Sequence, residues 1–227
     1  MDIERIKTKY RRNARFYDVL VRPLPLFERL RKKAVARLGP RPGETVVDLG
    51  CGTGLSFELL ERGVGPQGRI IGVEITPEML AKAREKVTRH GWSNVTLIEA
   101  SAEEVDLEPD SVDAVLCCLT NDIMHSKAAV ERAVRALRPG GRFVATGVKL
   151  ASGLHGRLLN PITRAYSVSA ITVPITPAPW THLEGLLEPL EVTEGVWGTA
   201  YVAHGLKPVG PARPAGGEVY EEVGHGA

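Results

Sequence analysis

From Thr45 to Val148 short aliphatic runs alternate with longer stretches of helical period. Thr45–Leu49, Arg69–Glu74, Val95–Glu99, Val112–Leu119 and Arg142–Val148 predict strands. Between them, Ser56–Arg62, Pro77–His90 and Lys127–Leu137 predict helices, with Pro77 at a helix start and Gly91 just past its end. The alternation argues for a parallel sheet covered on both faces, since strands buried on both sides read as near-continuous apolar runs. Upstream, Ile3, Ile6, Tyr10, Ala14, Tyr17 and Val21 recur at spacings of three and four among basic residues, which predicts an amphipathic helix over 2–20. Pro23 and Pro25 interrupt it, and Leu26–Leu38 predicts a second helix stopped by Gly39 and Pro40.

Downstream, the stretch 149–179 carries Leu154, Leu158, Leu159, Ile162, Tyr166, Ile171, Val173 and Ile175 and is too long for a simple connection. Leu183–Leu187 predicts a short helix, and Glu191–Val196 and Thr199–Leu206 predict two closing strands joined at Trp197-Gly198. From Lys207 onward Pro, Gly, Ala and Glu leave little to bury, so 207–227 is expected to be a mobile tail.

At 227 residues and 43% hydrophobic content the chain can bury one substantial core. No apolar run approaches the roughly 20 residues that span a bilayer. The opening Met-Asp-Ile-Glu-Arg is unlike a signal peptide, so a cytoplasmic location is expected. Three cysteines, two of them adjacent at Cys117 and Cys118 on a predicted strand, suggest buried thiols, and no Cys/His spacing suggests a metal. The net charge of +2 hides an asymmetry: residues 1–41 hold 13 Lys/Arg and 4 Asp/Glu (+9), the remainder 16 and 23 (−7). A basic end beside an acidic body suits an anionic membrane surface or nucleic acid, and equally a solvated helix whose charge only keeps it soluble.

The chemistry concentrates between Val46 and Leu55, where Val-Val-Asp-Leu-Gly-Cys-Gly-Thr-Gly-Leu puts Gly50, Gly52 and Gly54 between a strand and a helix. That is where the ligand crevice of an open α/β sheet lies, and glycines there let a ligand approach bare backbone. Asp48 decides the ligand's sign. A carboxylate just ahead of the first glycine would oppose a pyrophosphate and attract a ligand with an ammonium and a sulfonium.

This turn resembles motif I of the class I S-adenosylmethionine-dependent methyltransferases. The likeness continues in order through Ile70-Ile71-Gly72-Val73-Glu74, Val95–Glu99, Ser111–Cys118 and Leu137-Arg138-Pro139-Gly140-Gly141-Arg142-Phe143, over roughly residues 44–150. It implies an α/β, seven-stranded Rossmann-like sheet with helices on both faces, a final antiparallel hairpin and an N-terminal basic helical cap over 1–41. The donor-binding domain would run over 42–206, with a lid insertion at 149–179. It further implies S-adenosylmethionine as cofactor. Asp48 would face the ammonium end, Gly50, Cys51, Gly52 and Gly54 would run beside the methionine part, and Glu74, 26 residues after Asp48, would hold the ribose hydroxyls. Ile75 would lie on the adenine, Ser101 and Ala102 would meet its edge, with Ser101 standing where the family commonly has Asp or Asn, and Cys117 would flank the donor through its backbone.

Acceptor chemistry is expected just past the fourth strand, in Leu119-Thr120-Asn121-Asp122-Ile123-Met124-His125. On a helical turn Asp122 could orient His125 as a general base; alternatively Asp122 caps the following helix and His125 faces solvent. Asn13-Ala14-Arg15-Phe16-Tyr17-Asp18 is similar to a segment of phosphatidylethanolamine N-methyltransferases and of ubiquinone/menaquinone-pathway C-methyltransferases, which makes Tyr17 a candidate for donor contact. Both families use lipidic substrates at a membrane surface, and the basic segment would then be attracted to anionic headgroups. N-methylation of a small or lipid-like amine is therefore expected. The alternatives are a soluble-metabolite O- or C-methyltransferase, an RNA methyltransferase, disfavoured by 5% aromatic content, and a non-enzymatic binding module.

Overall fold

A computed structural model describes residues 25–170 and 172–210, with the side chains of 166–170 excepted. The expected helix over 2–20, Tyr17 and most of the expected tail lie outside the described residues. Helix α1 (Pro25–Leu38) leads into β1 (Thr45–Leu49), α2 (Phe57–Val64), β2 (Arg69–Glu74), α3 (Pro77–His90), β3 (Val95–Glu99) and β4 (Val112–Cys118). Then come α4 (Asn121–Met124), α5 (Lys127–Ala136), β5 (Leu137–Val148), α6 (Gly153–Ala170), a 3-10 turn (Thr181–Leu183), β6 (Glu191–Gly195) and β7 (Ala200–Leu206).

The seven strands form one sheet in the order β3-β2-β1-β4-β5-β7-β6. The first five are parallel and β7 runs antiparallel between β5 and β6. This is the expected doubly wound sheet with a closing hairpin. Its order reverses between β1 and β4, so a crevice opens at the carboxyl ends of those two strands.

Two apolar layers sandwich the sheet. On one face Val46, Ile70, Ala114, Leu116 and Val144 pack with Phe57, Leu60 and Leu80 of α2 and α3, and with Ala34, Val35 and Leu38 of α1. On the other Val47, Leu49, Val115, Cys117 and Phe143 pack with Val130, Ala133 and Val134 of α5. Helix α1 is thus a layer of the fold, its exposed side bearing Arg29, Lys32, Lys33 and Arg37.

Several boundaries moved for local reasons. Ser56 stands at the cap position, so α2 starts at Phe57. Leu119 takes φ 62° and ends β4 one residue earlier than expected. The expected helix over Leu183–Leu187 is a 3-10 turn over Thr181–Leu183. Val196 and Thr199, expected in strands, fall in the hairpin turn, where Val196 and Trp197 both have positive φ. The expected tail begins with an anchored residue: the Lys207 ammonium donates to Asp110 at 2.7 Å and to the Leu137 carbonyl at 2.6 Å.

Candidate functional site

A cleft of about 900 Å³, counting space open to solvent, lies at the carboxyl ends of β1, β2 and β4. Its floor is the turn after β1. Gly50 and Cys51 donate to the Val73 carbonyl at 2.8 and 2.9 Å, which ties the turn to β2. Gly50 needs to be glycine: φ is 77°, and a Cβ would sit 2.6 Å from Thr120 Cγ2 and 2.8 Å from Ile123 Cδ1. Gly52, at φ 55°, has nothing within 4 Å of that position, so its backbone opens onto the cleft. At Gly54 a Cβ would meet the Phe57 ring at 2.6 Å, so this glycine closes the turn onto α2 and does not line the cleft. Gly50→Ala is accordingly expected to lose about 1 to 3 kcal/mol in chemical denaturation, a larger loss than Gly52→Ala, which meets backbone strain without the collision.

Among the described residues three carboxylates, Asp48, Glu74 and Asp122, and one guanidinium, Arg31, line the cleft. Asp48 is 1% exposed, and neither carboxylate oxygen has a hydrogen-bond partner within the protein. Burial pushes its pKa up to about 7; the Arg31 guanidinium opposes the shift, Glu74 adds to it, and the Ser56 hydroxyl, outside hydrogen-bonding geometry, opposes it weakly. An orphaned buried acid is costly to keep. Glu74 is better supported. Its Oε2 accepts from the Gly52 N–H at 3.0 Å and its Oε1 from the Thr76 N–H at 2.8 Å, which orients both oxygens while each keeps capacity for a further donor. Burial raises its pKa and these N–H groups pull it back. The Cys51 thiol, buried beside Asp48, is pushed well above the ordinary thiol value and stays neutral.

A family model described as a methyltransferase domain matches residues 40–170, more than half of the chain. The chain belongs to the methyltransferase domain family. It is 38% identical over 117 residues to an arsenite methyltransferase of Halobacterium salinarum, covering 51% of this chain and 29% of that one. It is 34% identical over 131 residues to the ubiquinone/menaquinone biosynthesis C-methyltransferase UbiE of Vibrio campbellii, covering 56% and 48%. The matched segment therefore spans less than half the length of either relative. An S-adenosylmethionine-dependent methyltransferase from Aquifex aeolicus shares the fold at TM-score 0.62 and 18% identity, over 86% of this chain and 98% of that one. So does phosphoethanolamine N-methyltransferase 2 of Haemonchus contortus, solved with S-adenosyl-L-methionine, at TM-score 0.63 and 18% identity over 78% and 52%. The expected class I S-adenosylmethionine-dependent family and seven-stranded fold are thus found.

The cleft fits this family's donor. S-adenosylmethionine carries an ammonium, a sulfonium and ribose hydroxyls, and the cleft offers an unpaired buried carboxylate and a fixed one with spare acceptor capacity. Ile75, Ala100 and Ala102 make an apolar wall along β2 and past β3. Asp48, Gly50, Cys51, Gly52, Glu74, Ile75, Ala102 and Asp122 therefore come together as expected.

Other expected residues fall elsewhere. Ser101 is 3% exposed but does not line the cleft; its hydroxyl accepts from the Glu103 N–H at 3.2 Å and holds the turn after β3. Cys117 points into the α5-side core and does not line the cleft, whereas Cys118 and Leu119 do. His125 does not line the cleft either, and its Nε2 is buried without a partner. The Asp122 carboxylate is turned to Thr172, accepting from its N–H at 2.9 Å and from its hydroxyl. The expected Asp122–His125 pair is thus not formed. The alternative also fails, because Ser126 caps α5, accepting from the Ala129 N–H at 3.2 Å. Asp122 instead ties the segment after α6 to the cleft wall. Residues not anticipated from the sequence include Arg31, Ser56 and Met79, whereas Thr120 and Ile123 belong to the segment past β4 where acceptor chemistry is expected.

Proposed function

We propose that this chain transfers a methyl group from S-adenosylmethionine to a nitrogen of a small or lipid-like amine. The carrying observation is the pair of unpartnered, fully buried oxygens of Asp48 beside the buried Arg31 guanidinium. Those opposite charges side by side match an amino-acid zwitterion, Asp48 taking the ammonium and Arg31 the carboxylate of the donor's methionine end. Arg31 is held for this by Glu28, whose Oε2 accepts from its Nη1 at 2.7 Å. Glu74 would accept the ribose hydroxyls, Ile75 would lie on the adenine, and the backbone around Ala102 would meet its edge. A bound donor supplies an electrophilic methyl group on a positively charged sulfur.

The chain's own contribution is alignment and desolvation. Holding two reactants in line is worth roughly 7 to 11 kcal/mol, so no dedicated base is required for an electron-rich neutral nitrogen. Asp122, 5% exposed on the wall formed by α4, puts a negative charge where an amine would approach. It attracts the acceptor in its charged form and can take up the proton that the nitrogen must shed before attack. Tyr17, from the segment preceding α1, is a further candidate for donor contact.

The test incubates the protein with methyl-labelled S-adenosylmethionine and a cell extract, then separates lipid, small-molecule, RNA and protein fractions. Label on an amine in the lipid or small-molecule fraction is expected. Label in RNA would overturn the assignment, and label on a quinone-type ring carbon would place the chain with its UbiE relative instead. Asp122→Asn is expected to lower kcat/KM about 10- to 150-fold, the range of one lost charged hydrogen bond, and to leave donor affinity unchanged. His125→Ala should leave both unchanged.

A further inference from the structure

Helix α6 is held near its start through Gly156 and Asn160, and most of its described surface is exposed. Asn160 pins it, donating to the Ala151 carbonyl at 3.0 Å and accepting from the Ala151 N–H at 2.9 Å. A Cβ on Gly156 would meet the same carbonyl at 2.3 Å, so the first turns of the helix lie close against Ala151, in the link from β5, along their 156/160 side. At about 100° per residue, Leu154, Leu158 and Ile162 project from the opposite side. They are 70%, 66% and 68% exposed. Pro161 and Ala165, also exposed, fill the same stripe. Trp197, 71% exposed, adjoins the start of this helix: it stands at the tip of the β6–β7 hairpin, where a Cβ on the neighbouring Gly198 would lie 3.3 Å from Ala151 Cβ. Val196 and Trp197 both have positive φ, a conformation unfavourable for β-branched and bulky residues, so presenting an indole here opposes local backbone preference.

We propose that this face docks on an anionic lipid bilayer, a surface that deepens the lipid-like acceptor reading and rests on it. Charge selects the occupant. Helix α6 exposes Arg157 and His155 and carries no acidic residue. A second copy of the face would bring these cations against their own kind. Residues 1–24, with seven Lys/Arg against three Asp/Glu, would do the same. An anionic bilayer takes up aliphatic side chains, an interfacial tryptophan and flanking arginines together. The location has a consequence for the reaction: the segment after α6 is tied through Thr172 to Asp122 in the cleft wall, so a bilayer against α6 lies beside the acceptor end of the cleft.

The test is co-sedimentation of the full chain, without donor, with phosphatidylcholine vesicles and with vesicles containing phosphatidylglycerol. Binding is expected only with the anionic vesicles and is expected to fall as salt rises. The double variant Leu158→Glu/Ile162→Glu should reduce binding about tenfold or more, and Arg157→Gln about fivefold. Because these side chains are exposed, the variants should keep the wild-type melting temperature and donor affinity, which separates loss of docking from misfolding. Equal pelleting by wild type and the double variant would overturn the proposal, as would absence of binding to anionic vesicles. A wild-type dimer that the double variant converts to monomer would also overturn it, by assigning the face to a second copy. Donor titration is independent of vesicles, so failure of docking leaves the methyltransferase assignment standing, whereas failure to bind donor removes that assignment without touching the sedimentation result.

Discussion

Asp48→Asn is expected to move stability and binding in opposite directions. In the free protein the buried carboxyl has a pKa of about 7 against 3.8 for an unperturbed one, with desolvation as the main cause. The folded state therefore holds a proton that the unfolded state has released between those values. Stability then falls as pH rises through that window and is flat above it. Three pKa units correspond to at most about 4 kcal/mol, a ceiling because the asparagine amide must itself be buried. At pH 8 the variant's apo form should melt several degrees above wild type, and near pH 4 the two should coincide. S-adenosylmethionine, by contrast, should bind the variant about 10- to 150-fold more weakly, the loss of one charged hydrogen bond worth about 1.5 to 3 kcal/mol. Differential scanning calorimetry with and without donor reads both. A variant destabilised at pH 8, or one that binds donor normally, would show that Asp48 is satisfied by the protein itself.

This opposition also explains which parts of the site could be read from the sequence. Asp48, Gly50, Gly52, Glu74 and Ile75 stand at strand ends or in the turn between strand and helix, so their positions follow from local order alone. Arg31 was hidden because its place depends on how α1 packs. The buried side of α1 is Phe27, Leu30, Arg31, Ala34, Val35 and Leu38, a stripe with one cation in it. That interruption is visible in the sequence, and an arginine on an apolar stripe signals a buried charge with a task. Its charge is one of the 13 Lys/Arg of residues 1–41, and a total of charge carries no information about burial.

Other departures have different causes. Both faces of β4 are buried, so alternation alone could not say whether Cys117 or Cys118 turns toward the cleft. Ser101 at the adenine edge is an expectation from resemblance, but a short hydroxyl next to the backbone is readily captured by its own turn, and here it accepts from the Glu103 N–H. For α6 the period shows that the helix has an apolar side without showing what lies against it, so the expected lid over 149–179 is a reading from resemblance. At Val196 and Trp197 a β-branched and an aromatic residue extend the strand pattern into a turn of positive φ, where propensity points the wrong way.

The pH dependence of donor affinity should carry the clearest signature of the same carboxylate. Free Asp48 titrates near 7, and pairing with an ammonium lowers its pKa in the complex. Binding must therefore expel a proton below about pH 7. The association constant should climb with pH, approaching tenfold per unit between about 5.5 and 6.5, and should level off above about 7. Glu74, whose pKa burial also raises, steepens the rise in the same direction if the ribose hydroxyls favour its ionised form. Calorimetric titrations in two buffers of different protonation enthalpy would count the released protons directly: close to one at pH 6, near none at pH 8, and markedly fewer at pH 6 for Asp48→Asn. An affinity independent of pH across that range would mean that Asp48 is already ionised in the empty cleft, with Arg31 as its settled partner, and that the donor's ammonium is received elsewhere.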